Sequence, residues 1–191
     1  MEDKFLISAK NISYKINDNR LFHNLSFDLR EGEAIHVCGD NGSGKSTLLR
    51  ILLGITNQTK GNIDNHSLEE VCFLGHKNAV KSYLSLEDNI LLMDLNNHPK
   101  LQKYITLLNL KKYLNVVVAN LSFGQQKKLA LLRVFLNNSE LLILDEPFVG
   151  LDSESQLILT QFLNNELIIK KGLVYTSHIS CDIKSKKITL E

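Results

Sequence analysis

The sequence has no tryptophan, two methionines, two prolines and three cysteines in 191 residues, and each scarcity closes off an architecture. With prolines only at Pro99 and Pro147, no proline-rich linker is present. No internal repeat or low-complexity stretch divides the chain either, so it reads as one compact unit. At about 150 residues per domain, one domain or one with an embedded subdomain is expected. Cys38, Cys72 and Cys181 are odd in number and far apart, which fits neither a disulfide framework nor a zinc-ligand spacing. They are expected to be small buried thiols in a reducing compartment. No run approaches the roughly 18 consecutive apolar residues of a membrane span, and the opening MEDKFLISAKNISYK is too polar for a signal peptide. Excess charge of one sign is missing as well. Lys plus Arg is 22 against 21 Asp plus Glu, a net of +1, so there is no bulk electrostatic attraction for nucleic acid or an acidic membrane.

What remains is 43% apolar and 23% charged residues, enough to bury a sizeable core. Within 5–38, alternation such as Leu25, Phe27, Leu29 and then Ala34, Ile35, Val37 predicts short strands. Glycines then break the pattern, and 45–54 (KSTLLRILLG) shows helical spacing closed by Gly54. Residues 71–75 read as a strand, about 86–93, 99–114 and 125–136 as helices, and 141–144 (LLIL) as a fully buried parallel strand. A helix over 153–171, a buried strand over 173–176 and a C-terminal edge strand in KSKKITLE complete the pattern. Strands alternating with helices imply a mainly parallel α/β sheet.

Gly39-Asp40-Asn41-Gly42-Ser43-Gly44-Lys45-Ser46 fits G-x-x-x-x-G-K-[ST] between a strand and a helix, the context that makes it a phosphate site rather than a glycine turn. Inward-pointing N–H groups and the helix dipole attract phosphate, Lys45 can reach the β- and γ-phosphates, and the Ser46 hydroxyl can hold Mg²⁺. In 141–146 (LLILDE), Asp145 and Glu146 end a buried strand, where an open α/β sheet places its ligand. Asp145 suits the Mg²⁺ side, and Glu146 can orient or deprotonate the water that attacks the γ-phosphate.

Leu121-Ser122-Phe123-Gly124-Gln125-Gln126 resembles the LSGGQ signature of the nucleotide-binding subunits of ABC transporters, and motif order and spacing agree along nearly the whole chain. The resemblance implies an α/β P-loop NTPase of ABC type, with a mainly parallel core sheet, an antiparallel β subdomain and a small helical subdomain. It implies one domain over 1–191, with the helical subdomain at approximately 77–138. It further implies ATP and Mg²⁺ as cofactors, with Gly39, Asp40, Asn41, Gly42, Ser43, Gly44, Lys45, Ser46 and Thr47 around the phosphates. Ser122, Gly124 and Gln125 would grip the γ-phosphate bound to the opposite subunit. Tyr14 resembles the aromatic that stacks on adenine, with sheet packing as the alternative. Asp152, in Gly150-Leu151-Asp152, resembles the aspartate that crosses the dimer interface, and a helix N-cap competes or coexists. His178 resembles the switch histidine at the γ-phosphate, joining Glu146 and Lys45 in catalysis.

Two positions depart from the family pattern. Phe123 stands where the signature has glycine, and His76 stands where most relatives have glutamine, beside Ser46 and Asp145 as a candidate Mg²⁺ ligand. Gly75-His76, Lys81 and 84–89 (LSLEDN) are similar, within the family, to the ATP-binding subunits of the haem exporter of cytochrome c maturation. The implied partners are a second copy in the ATP-bound state and integral membrane permease subunits on separate chains, with no nucleic acid. The implied place is peripheral, on the cytoplasmic face of the inner (plasma) membrane. The chain ends 13 residues after His178, which is expected to leave no room for a regulatory domain. A chromosome-type ATPase would need a long coiled coil between Ser46 and Ser122, where only 75 residues lie. Translation-type relatives carry two cassettes, and a non-hydrolysing sensor is disfavoured by Glu146.

Overall fold

A computed structural model describes residues 4–17, 19–67 and 71–191. Strands β1 (Phe5–Ile16) and β2 (Asn19–Arg30) pair antiparallel, and β4 (Lys60–Asn65) adds to the other side of β1, giving the order β2-β1-β4. Short strands were expected over 5–38, but two of them run 12 residues each. Register shifts along their pairing interrupt the strict alternation that would have marked a long strand.

The second sheet joins β3 (Ala34–Cys38), β5 (Val71–Leu74), β6 (Leu141–Leu144), β7 (Gly172–Thr176) and β8 (Lys186–Thr189) in the order β5-β6-β7-β3-β8, every pair parallel. Strand β8 is the expected edge. Both faces of this sheet are covered, which is why β6 and β7 are apolar without interruption. Leu142, Leu144, Leu173 and Tyr175 face one apolar cluster, and Leu141, Ile143 and Val174 face the other.

The second of those clusters is closed by α1 (Lys45–Leu52) and the antiparallel sheet. The first is closed by α3 (Leu101–Leu107), α4 (Phe123–Phe135) and α5 (Ser153–Ile168), with α2 (Leu86–Leu92) also contributing. Helix α2 begins with a capping box, in which Ser85 accepts from Asp88 N–H while the Asp88 carboxylate accepts from Ser85 N–H. The helix expected over 99–114 stops at Leu107. Asn109 takes a left-handed φ of 56°, and a 3-10 turn over Lys111–Tyr113 follows. Among the described residues, no helix is long and apolar enough to cross a membrane.

Candidate nucleotide site

Because β5, β6, β7 and β3 are parallel neighbours, the residues that follow them emerge at one edge of the sheet. His76, Asp145, Glu146 and His178 meet there, with Asn41, Gly42, Gly44, Lys45, Ser46 and Thr47, around a cleft of about 520 Å³. An open α/β sheet binds its ligand at this edge. Gly44 caps α1 with φ 98° and offers no side-chain hydrogen bond to the first N–H groups of the helix. At Gly39, φ is 141° and a Cβ would stand 2.6 Å from both the Leu190 carbonyl oxygen and Ser43 Oγ, so the turn admits only glycine. The buried Lys45 donates to the Gly39 and Asp40 carbonyls at 2.7 and 2.9 Å, which holds its ammonium over the loop.

The carboxylates are tied together by a residue that the motif reading passed over. The Thr176 hydroxyl donates to Asp145 Oδ1 at 2.8 Å and accepts from Glu146 N–H at 2.8 Å. Asp145 N–H also donates to the Leu74 carbonyl at 2.7 Å, which pins the end of β6 to β5. Glu146 has φ 49°, a left-handed backbone that glutamate rarely adopts, and such outliers gather at functional sites. His178 N–H donates to Glu146 Oε2 at 3.3 Å, and its Nε2 lies 3.5 Å from Oε1. Lys127 of α4 is almost completely buried. Burial pushes its pKa down to about 8, and the negative charges of Asp145 and Glu146 oppose that shift.

The residues fit a metal-bound polyphosphate. Ser43 Oγ is buried without a hydrogen-bond partner among the described residues, a free polar group inside the loop. The same residues include no cluster of three His, Cys, Asp or Glu side chains. A Ser46 hydroxyl and one Asp145 carboxylate suit Mg²⁺, which takes few protein ligands and completes its shell with phosphate and water.

Ser122, Gly124, Gln125 and Asp152 stand elsewhere, around a second cleft of about 720 Å³ shared with Lys111, Lys112, Tyr113 and Lys128. Among the described residues, none lines both clefts. Ser122 caps α4 in a capping box with Gln125: its oxygen accepts from Gln125 N–H at 3.2 Å, and its own N–H donates to Gln125 Oε1 at 2.8 Å. The hydroxyl proton is left to give. Asp152 caps α5 by accepting from Ser155 N–H at 2.8 Å and pairs with Lys128 at 2.6 Å. The N-cap reading of Asp152 is therefore met. Phe123, half exposed, lies against Gly150, where an added Cβ would stand 2.4 Å from its ring. The bulk at this signature position is thus accommodated by the glycine of the Asp152 turn.

An ABC transporter family model matches residues 22–149, which spans the glycine loop, the signature and the paired carboxylates. The chain belongs to the ABC transporter family. Along its length it is 30% identical to the cytochrome c biogenesis ATP-binding export protein CcmA of Legionella pneumophila, covering 91% of this chain and 92% of that protein. The protein of the same name from Idiomarina loihiensis is 34% identical, with 97% and 93% covered. The ATP-binding subunit of an ABC transporter of known structure superposes with a TM-score of 0.82 at 22% identity, over 97% of this chain and 85% of that one. The fold expectation, an ABC-type P-loop NTPase with a parallel core and an antiparallel sheet, is met. The chain is an ABC ATP-binding subunit, an ATPase coupled to transport.

Tyr14 lies on β1, two residues before the cleft-lining Ile16. It is half buried, and its ring centroid lies 6.2 Å from that of Phe22. Gly39, Asp40 and Ser43 shape the loop without lining the cleft. Thr176 and Lys127 were not singled out from the sequence. The only sequence signal for Thr176 is a hydroxyl at the end of an otherwise apolar strand, and for Lys127 a cation at a position that helical spacing turns inward.

Proposed function

We propose that this chain hydrolyses ATP as one of two identical subunits that close on nucleotide and drive separate membrane permease subunits, in an exporter of the cytochrome c biogenesis type, with haem as cargo. It would act peripherally, at the cytoplasmic face of the inner membrane. The observation that carries this reading is the division of the site between two clefts: the glycine loop and carboxylates face one, the signature the other. One chain then supplies half of each site, and a symmetric dimer completes both. The helical segment at approximately 77–138 would carry the signature toward the partner and, around 76–89, meet the permease.

Lys45 and the loop amides hold the β- and γ-phosphates. Glu146, fixed by Thr176 and by His178 N–H, orients and deprotonates the attacking water. His178 presents its imidazole beside that carboxylate to the γ-phosphate, and Ser122 and Gly124 donate to the same phosphate from the other subunit. Ser46 and Asp145, with His76 nearby, would hold Mg²⁺, which would supply positive charge against the charge that builds on the phosphate during transfer.

The test is Glu146→Gln. ATP binding should persist, turnover should fall by about 10²–10⁴-fold, and ATP should trap a dimer visible by light scattering. A variant that hydrolyses normally removes Glu146 as the base. Purification from membranes with its permease, followed by ATPase assays with and without haem, tests the cargo.

A further inference from the structure

The second cleft is larger than its signature role demands. At about 720 Å³ it has the size of a pocket for a whole small ligand, which spans about 300–1,000 Å³, whereas the signature serine and glycine need reach only one terminal phosphate. One wall is the start of α4 with Ser122 and Gly124. The wall contributed by the turn after α3 carries Lys111, Lys112 and Tyr113.

The charges on these walls are unequal. Asp152 is the one carboxylate among the described lining residues, and it is already committed to Lys128 at 2.6 Å, a hydrogen-bonded pairing that holds its pKa down to about 2. Lys111 and Lys112 are exposed and form no ion pair with any described acidic side chain. The Lys112 ammonium lies 5.0 Å from the Tyr113 ring centroid, which orients it without neutralising it. Two free cations therefore share a concave site with a hydroxyl donor and a helix N-terminus. That combination recognises a polyanion of small-molecule size.

We propose that Lys111 and Lys112 are nucleotide-binding residues in trans, contacting the phosphates of the ATP held on the glycine loop of a second copy of this chain. The proposal rests on the sandwich dimer above and extends each composite site from the signature to the turn after α3. Attraction between these lysines and a bound triphosphate adds to the free energy of closure only when nucleotide is present. Dimerisation is thereby tied to the charge of the nucleotide. Binding of nucleotide to the separate subunit does not involve them.

The experiment compares E146Q with E146Q carrying K111A and K112A, at MgATP saturation, by sedimentation. Both lysines are exposed, so the substitutions leave the fold intact, as melting curves will register. Dimerisation should weaken by about tenfold or more in the double-lysine variant, K111R with K112R should restore it, and the salt dependence of closure should become shallower. Affinity of the monomer for a fluorescent ATP analogue should not change. If E146Q with both lysines intact stays monomeric with MgATP, the sandwich reading fails and takes this inference with it. If E146Q dimerises and the double-lysine variant dimerises equally well, the sandwich stands and the inference fails, even if the lysines prove to bind vesicles of anionic lipid.

Discussion

Thr176 shows how much one unremarked side chain can decide. Its single hydroxyl serves Asp145 and the backbone of Glu146 at once, so it sets the spacing of the Asp145 carboxylate and the proposed base. Thr176→Val keeps the shape but leaves a buried carboxylate oxygen and a buried N–H without partners, costing about 1–3 kcal/mol. The melting temperature should drop by several degrees and kcat should fall more than KM rises, while Thr176→Ser should recover both. A valine variant with wild-type kinetics would show that the carboxylates hold their places unaided. The loop and the two acidic residues were legible because their chemistry is local, written in consecutive residues. Thr176 was not, because its partners lie 30 and 31 residues away and only strand pairing brings them together.

At the scale of elements, the periodicities gave helices and strands close to their observed places, and the errors have local causes. The segment 99–114 carries helical spacing throughout, yet the left-handed Asn109 ends α3 and lets Lys111 and Lys112 turn into the second cleft. The sequence also could not show which helices are tied together. Lys128 of α4 and Asp152 at the head of α5 form such a tie, and Asp152 does double duty as cap. The Lys128 ammonium and the Ser155 N–H hold the Asp152 carboxyl at a pKa of about 2, below its ordinary 3.8. The sign follows: the charged form is favoured in the folded state, so the stabilisation is complete above about pH 4 and is lost as pH falls toward 2. Asp152→Ala should cost about 1 kcal/mol at pH 7 from the missing cap, a shift of about 2–4 °C in Tm. The gap from wild type should close between pH 4 and pH 2. A gap constant across that range would mean the carboxylate charge adds nothing.

For the whole molecule, the parallel sheet does the gathering: four strands deliver loop, carboxylates and both histidines to one edge, while α4 and the turn before α5 carry the signature to another place. That two-cleft division was legible only through family resemblance, since nothing in the spacing of Ser46 and Ser122 says that they part company in space. The edge strand β8 adds one consequence for anyone handling the protein. Leu190 N–H donates to the Cys38 carbonyl at 2.9 Å, and the Leu190 carbonyl crowds Gly39, so the segment from β8 to Leu190 forms the back wall of the phosphate loop. Trimming the protein before Lys186 should reach the active site from behind. Isothermal titration would then record weaker ATP binding in a protein whose helices and carboxylates are untouched, and an unchanged affinity would show that the loop keeps its shape without that support.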